Sequence, residues 1–585
     1  MKKKNYARLF LSIGMLTIVS TTIGCGSSVS TELVYPDFPT TPNELDSWEY
    51  FKDENGKVES WELEWYINDT NTSWNSFGTD RVSQILQETT GVNIKFINPV
   101  TDDGQKLATL ISSNKLPDLV SIQSWYPQCS QLASQGYLYP LDGLIERWAP
   151  SFTKRIQQDI WEYFRQGDGY TYGIPNFAYS NQYVSDDDKL PPNGCILVRE
   201  DWYKEVEALN IDMTTTKGFI EGCTYIKEKY EDSIPFQLSP FTNEGNMSVE
   251  WLAQYFATPF EDKNGNYVDV RTHERYKEML GFLNECNAKG LILPRNFSDK
   301  AEQIKTLISR GNVFVSAVTP QDYQQAFMNC YNRGINYIPL VLKNKDNETP
   351  VLQDLSGNGY LLTMVSKNCK RPDKVIKLLD FLYSEEGQRL IAFGVEGETY
   401  VWNEDHTKIL WTDRYIRGIN EENQEDLAWV NSYGLYQMTL LMNLAYINKV
   451  KPMNGRRPVD IYIDNMKRPM TPYAYNYKPT FLKHDTASDE YFQISTKATR
   501  IDTKWSEALV KIIRSENYLE TYNESIAYAN RQGLDDVIKF YSESYQNTKK
   551  VLKIEKGWPQ YKDNYQEPVT GPNGDFSYWV GATHD

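Results

Sequence analysis

Four histidines, His273, His406, His484 and His584, are the chain's whole supply of imidazole. None falls in the H-E-x-x-H spacing that sets two ring nitrogens and a general base on one helix face, and neither a G-x-S-x-G elbow nor a phosphate-cradling glycine loop is present. Activated-serine and nucleotide chemistry are therefore not predicted. Carboxylates are plentiful, 78 Asp and Glu against 61 Lys and Arg. So acidic a chain offers many carboxylate pairs whose separation the sequence does not show, and a glycoside hydrolase stays open as the enzymatic alternative. In the run Asp186-Asp187-Asp188 successive side chains alternate direction, which predicts a solvated loop rather than a cation site. Asp262 to Asp269 is rich in oxygen ligands, but Gly265 stands in the fourth place rather than the sixth of a calcium loop, so a hairpin turn is predicted there. The expectation is a protein that binds without catalysing, with no metal and no cofactor.

What the chain does have is aromatic surface. Aromatic residues make up 14% of it, with 15 Trp and 41 Tyr. Flat rings pack against the C–H faces of sugars while their polar tips hydrogen-bond hydroxyls, so the composition leans toward carbohydrate. The formal charge of −17 argues against nucleic acid, whose phosphates need clustered Lys and Arg. Cys129, Cys195, Cys223, Cys286, Cys330 and Cys369 lie far apart without C-x-x-C spacing; they read as buried thiols, with a chance pair left open.

At 585 residues the chain is too long for one core, and two or more lobes are expected. Lys2, Lys3, Lys4 and Arg8, the apolar run Leu9 to Val19, and Thr22-Ile-Gly-Cys25 read as a secretory signal over residues 1–24. The last four residues resemble the lipobox of bacterial lipoproteins, which implies cleavage before Cys25, diacylglycerol on its thiol and a membrane anchor. Residues 25–57, punctuated by Pro36, Pro39 and Pro42, read as a flexible tether. Trp61 to Ile67 alternates as a strand, Asp80 to Thr90 as a helix ended by Gly91, and Val92, Ile94 and Phe96 as a second strand. Leu116 to Ile122 is a third. Strand–helix–strand alternation predicts mostly parallel sheets covered by helices, with ligands at the carboxyl ends of the strands.

Between Asp168 and Tyr203 a Gly/Pro turn, the three aspartates and Pro191-Pro192 separate this region from a second alternating one that opens at Cys195-Ile-Leu-Val198. This is read as the first crossing between lobes, with a return near Asp354 to Tyr360 and a third crossing near Trp411. Residues 411 to about 555 carry helical patterns.

Several stretches, in this order, carry a resemblance: Lys115-Leu-Pro-Asp-Leu, Tyr139-Pro-Leu-Asp, Tyr172-Gly-Ile-Pro, Leu197-Val-Arg-Glu-Asp-Trp, Lys289-Gly-Leu-Ile, Phe381-Leu-Tyr-Ser-Glu-Glu-Gly and Gly394-Val-Glu-Gly-Glu. The chain resembles the extracellular solute-binding proteins of carbohydrate ABC transporters. That resemblance implies an α/β, two-lobed periplasmic-binding-protein-like fold of class II, with mixed sheets, hinge links and a helical C-terminal segment. It implies lobe one over 58–178 plus 358–410 and lobe two over 179–357 plus 411–585. It implies an oligosaccharide held between the lobes and delivered to ABC permease subunits by a monomer at the outer face of the membrane. A non-transport glycan-sensing or adhesion lipoprotein is the other alternative. Members that bind acidic polysaccharide carry a calcium loop, and the matching stretch here, Lys227 to Pro235, lacks its ligand ladder. Position within the resemblance selects the ligand candidates: Trp74, Gln123, Trp125, Tyr126, Asn176 and Tyr179 from lobe one or its rim, Trp251 and Gln321 from lobe two, and Trp402, Trp429 and Tyr433 from the later segment.

Overall fold

The structure, a computed structural model, describes residues 34–42, 46–69, 77–99, 104–180, 190–243, 245–435, 439–484, 488–555 and 557–558. Thr40–Asp585 forms one compact unit that holds both main sheets.

The first sheet is built from β1 (Trp61–Ile67), β2 (Val92–Ile97), β3 (Leu119–Gln123) and β4 (Gly173–Pro175), joined by a later strand. The second is built from β5 (Cys195–Arg199), β6 (Ile234–Leu238), β7 (Val313–Val318) and β8 (Tyr337–Pro339). A short β9 (Leu352–Gln353) precedes β10 (Leu361–Val365), which returns to the first sheet. The spatial orders are β2-β1-β3-β10-β4 and β6-β7-β5-β8. β1, β2 and β3 are parallel and β10 runs against both β3 and β4. In the second sheet β6 and β7 are parallel, while β5 opposes β7 and β8. This is the two-lobed α/β fold with mixed sheets that the sequence predicts.

Local signals account for the elements. The helix Arg81–Thr90 begins where Asp80 Oδ1 accepts from Ser83 N at 2.8 Å and ends at Gly91 in the left-handed region. β1 alternates buried and exposed residues at its start and is buried from Trp65 on, where β3 covers it. The polar groups this burial encloses are paired across the sheet. Trp65 Nε1 donates to Ser121 Oγ at 2.8 Å, and Ser121 shares a 2.7 Å hydrogen bond with Thr363 of β10.

Two boundaries differ from the sequence reading. The tether expected over 25–57 gives way early to folded chain: Ser47–Phe51 is a 3-10 helix whose Ser47 bonds Ser151 and whose Trp48 packs edge-on against Phe381. Asp46 pairs with Arg155 at 2.7 Å, so residues 46–57 belong to the first lobe. The third crossing is not at Trp411. That residue lies in a hairpin, β11 (Tyr400–Trp402) with β12 (Ile409–Trp411), whose cluster includes Phe393, Tyr446 and Val450. The cluster stays on the first lobe, because Gln388 Nε2 donates to Leu441 O at 2.6 Å and Ser432 O accepts from Arg81 N at 3.0 Å. The chain crosses only after Val450, and the helix Pro458–Lys467 packs against Gln324–Tyr331 and β8. β13 (Ala474–Tyr475) then pairs with β9, and Asp489–Arg514 packs on Glu274–Ala288 of the second lobe. All six described cysteines are buried and free.

The C-terminal helices enclose His484. Its ring stacks on Phe540 at 5.5 Å, faces Tyr491 and Tyr541, and its Nδ1 shares a 2.8 Å hydrogen bond with Ser544. Burial holds its pKa down at about 4. The folded protein therefore binds fewer protons here than the unfolded chain, whose histidine titrates near 6.5. The stability this site contributes is intact above pH 6.5 and is lost as pH falls toward 4, by up to about 3 kcal/mol. Denaturant unfolding of wild type and His484→Phe at pH 7 and pH 4 should show that loss in wild type and a smaller one in the variant.

The crossings also make a backbone demand. Gly359 has φ +128, and a Cβ there would sit 2.4 Å from Pro175 Cβ. Gly359→Ala should lower unfolding free energy by about 1–3 kcal/mol, read from the same unfolding curves at pH 7.

Candidate functional site

Both sheets present the same kind of edge where the first two crossings leave them. In the first lobe these are the carboxyl ends of β1, β3 and β4 with the amino end of β10; in the second, the carboxyl ends of β6 and β7 with the amino end of β5. The crossings run antiparallel, with Ala178 paired to Asn358 and Pro192 to Asp354. The third connection joins them through β13 and β9.

On the first-lobe edge Gln123, Ser124 and Asn176 are engaged, while the side-chain Nδ2 and Oδ1 of Asn358 and the Oε1 of Gln128 are buried without a hydrogen-bond partner among the described residues. Gln123 is 5% exposed; its Oε1 accepts from Asn68 Nδ2 at 2.7 Å and its Nε2 donates to Asn68 O at 2.8 Å. Tyr66 OH donates in turn to Asn68 Oδ1. Gln123 thus clamps β3 to the end of β1. The next turn is pinned to β10, Ser124 N donating to Tyr360 O at 2.8 Å and Ser124 Oγ to Gly359 O at 2.8 Å. That turn carries Trp125, which is 61% exposed, with its ring 5.6 Å from Tyr360 and 6.1 Å from Tyr126. An indole with two neighbouring rings and one open face is a stacking platform.

Asn176 is buried and binds the start of β10 through backbone and side chain, Leu361 N donating to its Oδ1 at 2.7 Å. Tyr179, one turn on, is half-buried, and its amide donates to Gly357 O at 3.0 Å. Burial, with the Asp354 carboxylate nearby, raises its phenol pKa. Between them Phe177 takes φ 49 and is 43% exposed. A left-handed aromatic held open to solvent marks a position under external constraint.

The second-lobe edge also holds polar atoms buried and unpaired. Trp251 is 3% exposed and lies so close to Gly194 that a Cβ there would stand 2.2 Å from the indole. Its Nε1 has no hydrogen-bond partner among the described residues, nor have Thr319 Oγ1 and Gln321 Oε1. Gly194 precedes Cys195, which pairs with Val318, so all three groups flank one sheet edge. An unpaired buried donor or acceptor costs roughly 1–3 kcal/mol, a cost that a ligand rich in hydroxyls would relieve.

Trp402 and Trp429 pack on the first-lobe cluster and Tyr433 lies against Trp429 with 4.9 Å between the rings; of the three, the sequence reading places Trp402 alone on the first lobe. The Arg389 guanidinium lies 5.8 Å from the Trp402 ring, and Arg414 lies 4.5 Å over Trp429. Tyr433 is buried, its hydroxyl donating to Glu398 at 2.6 Å, and its backbone carbonyl accepts from Val82 N beside the start of Arg81–Thr90. Ser432 and Tyr433 are thus tied to the start of the helix that follows β1 in the chain. Trp74 and Cys25 lie outside the described residues, as do Asp186, Asp187 and Asp188. Tyr360 and Phe177 join the site although neither stood out in the sequence; the Gly-Asn-Gly before Tyr360 was the available signal.

His273, His484 and Asp262 are engaged in local structural contacts. His273 Nδ1 accepts from Arg275 N as a helix cap, and His484 is enclosed by aromatic rings. Asp262 closes a tight turn, accepting from Asn264 N at 2.8 Å and Asn266 N at 2.9 Å. Among the described residues no group of three or more His, Cys, Asp and Glu is placed to hold a metal ion. What the edges can do is bind: a platform on one side, open hydrogen-bonding groups on the other.

Known proteins share this architecture. The fructooligosaccharide ABC transporter substrate-binding protein FusA of Streptococcus pneumoniae serotype 4 is 26% identical over 235 residues, covering 36% of this chain and 41% of that protein. The match therefore spans about two fifths of that relative's length. The structure of S. pneumoniae FusA in complex with kestose superposes with a TM-score of 0.65 at 16% identity, over 84% of this chain and 100% of that one. A solute-binding protein of Bifidobacterium longum infantis, described as HMO binding and ABC-transporter associated, gives 0.63 at 14% identity, over 83% and 99%. At these identities the superpositions speak for the fold. Residues 81–394 match the family described as bacterial extracellular solute-binding protein, more than half of the chain, and the chain belongs to that family of binding proteins.

Proposed function

We propose that this protein captures an oligosaccharide between its two lobes and delivers it to an ABC importer. The observation that carries the reading is the exposed Trp125 with Tyr126 and Tyr360 on one edge, against the unpaired Trp251 Nε1, Thr319 Oγ1 and Gln321 Oε1 on the other. A neutral oligosaccharide offers apolar ring faces to the first and hydroxyls to the second, and touches both only when the lobes approach. FusA, whose name records a fructooligosaccharide ligand, supports that class of substrate. Trp429 and Tyr433 extend the rim on the first-lobe side, and Phe177 stands between the lobes on the first crossing.

The anchoring belongs to the same proposal. Cys25 carries diacylglycerol, and the residues between it and the folded chain hold the body off the membrane. The protein acts as a monomer facing permease subunits, with neither nucleic acid nor cofactor.

Calorimetry against fructo-oligosaccharides, other neutral oligosaccharides and peptides should show saturable binding to at least one glycan. Binding to peptides with every glycan inert would reject the sugar reading. Trp125→Ala should weaken the glycan by about 10- to 100-fold while the melting temperature stays within about 2 °C of wild type; undiminished affinity would remove Trp125 from the site. Cys25→Ser should release the protein into the medium, where the wild type partitions with membranes and its N-terminal peptide carries the diacylglycerol mass.

A further inference from the structure

The segment Asn476 to His484 touches both lobes at once. On the second-lobe side Tyr477 OH donates to Val351 O at 2.7 Å, the Tyr477 ring packs 4.6 Å from Phe260, and Lys483 N donates to Thr548 Oγ1 at 2.8 Å. On the first-lobe side it meets the helix Gln158–Phe164, whose Ile160 and Phe164 are part of that lobe's core. Lys483 Nζ donates to Glu162 O at 3.0 Å, to Tyr163 O at 2.7 Å and to Arg165 O. Tyr163 OH donates back to Phe481 O at 2.9 Å. Lys478, fully buried, faces the carboxylates of Asp159 on the same helix and Asp354 on the second crossing. The helix Leu534–Leu552 packs alongside.

The last carbonyls of a helix lack partners within it and form the negative end of its dipole. Here they are met by an ammonium that spends all three of its donors on them, the charge-assisted kind of bond that is stronger than a neutral one. That ammonium belongs to the other lobe's framework, so the helix end can be capped in this way only while the lobes keep this spacing. In the same arrangement Trp125 faces solvent.

We propose that Lys483 is a positioning residue: it braces the lobes in the arrangement with the platform open, and its bonds to the helix end are given up as the lobes close on ligand. The proposal rests on the reading of the two edges as a ligand site that closes. Loosening the brace raises the closed population before any ligand is present, and apparent affinity rises in proportion to the competent fraction.

The test compares wild type, Lys483→Met and Lys483→Arg as full chains. Small-angle X-ray scattering without ligand should show a smaller radius of gyration for the Met variant and an unchanged one for the Arg variant. With a glycan that wild type binds, the Met variant should bind about 5- to 10-fold tighter, with slower release. An unchanged radius of gyration together with a lowered melting temperature would make Lys483 a simple helix cap and overturn the proposal. So would weaker binding. Should Lys483→Met fail to fold, Tyr163→Phe, which removes the hydroxyl's bond to Phe481 O, is read by the same scattering comparison. If no glycan binds wild type, the scattering still decides the brace, and the failure belongs to the ligand reading.

Discussion

Asn176 ties the first crossing to the second with three hydrogen bonds. Its amide donates to Leu361 O at 3.0 Å, its carbonyl accepts from Tyr360 N at 3.0 Å, and its Oδ1 accepts from Leu361 N at 2.7 Å. The register this sets leaves no room for a side chain at Gly359, which faces Pro175. Everything at the first-lobe edge follows from it: Tyr360 is held beside Trp125, Ser124 finds two acceptors on the strand start, and β10 is inserted between β3 and β4. The crossings meet again where Pro192 bridges Asp354.

Under the proposed function the two edges divide the binding work. On the first lobe the chain Tyr66–Asn68–Gln123 closes on itself, so the ends of β1 and β3 are held stiffly beneath the exposed rings. A platform already ordered loses little conformational freedom when a ligand lands on it. On the second lobe the indole of Trp251, the hydroxyl of Thr319 and the amide oxygen of Gln321 are buried without partners. Their gain comes only when a ligand's hydroxyls arrive. Under the proposed function the first lobe sets which molecules are retained, and the second supplies the free-energy difference that favours closure.

The regular elements were legible because their signals are local. β1 reads from alternation over Trp61–Ile67, and Arg81–Thr90 reads from an Asp cap and a terminal Gly, and both are found where expected. The misplacements are non-local. Ser47–Phe51 reads as tether because its neighbourhood is polar and Pro-rich, and only contact with Ser151 and Phe381 folds it. The stretch around Trp411 has the same helical and aromatic texture as the second lobe's C-terminal helices; a backbone bond from Arg81 to Ser432 and a buried amide from Gln388 assign it to the first. At the site, family resemblance pointed to Trp125, whose exposure a sequence does not show, whereas the Gln123–Asn68 clamp depends on the β1–β3 register, which no sequence pattern displays.

The charge cluster where the segments meet is the least expected feature. Lys478 is fully buried among Asp159 and Asp354, with Ser180 donating to Asp159 at 2.6 Å and Ser356 N donating to Asp354 at 2.9 Å. Burial pushes Asp354 up to about 6 and Lys478 down to about 8, each toward its neutral form, while their opposite charges resist the change. Packing alone would be served as well by apolar side chains, and buried ion pairs are seldom a source of net stability. Their value is directional. The ammonium lies in the field of Asp159 of a first-lobe helix and Asp354 of the second crossing, so a slipped register in either would weaken that electrostatic support. Polar pairing at this point specifies how the connections lie together, and Lys483, five residues on, meets the same helix as Lys478.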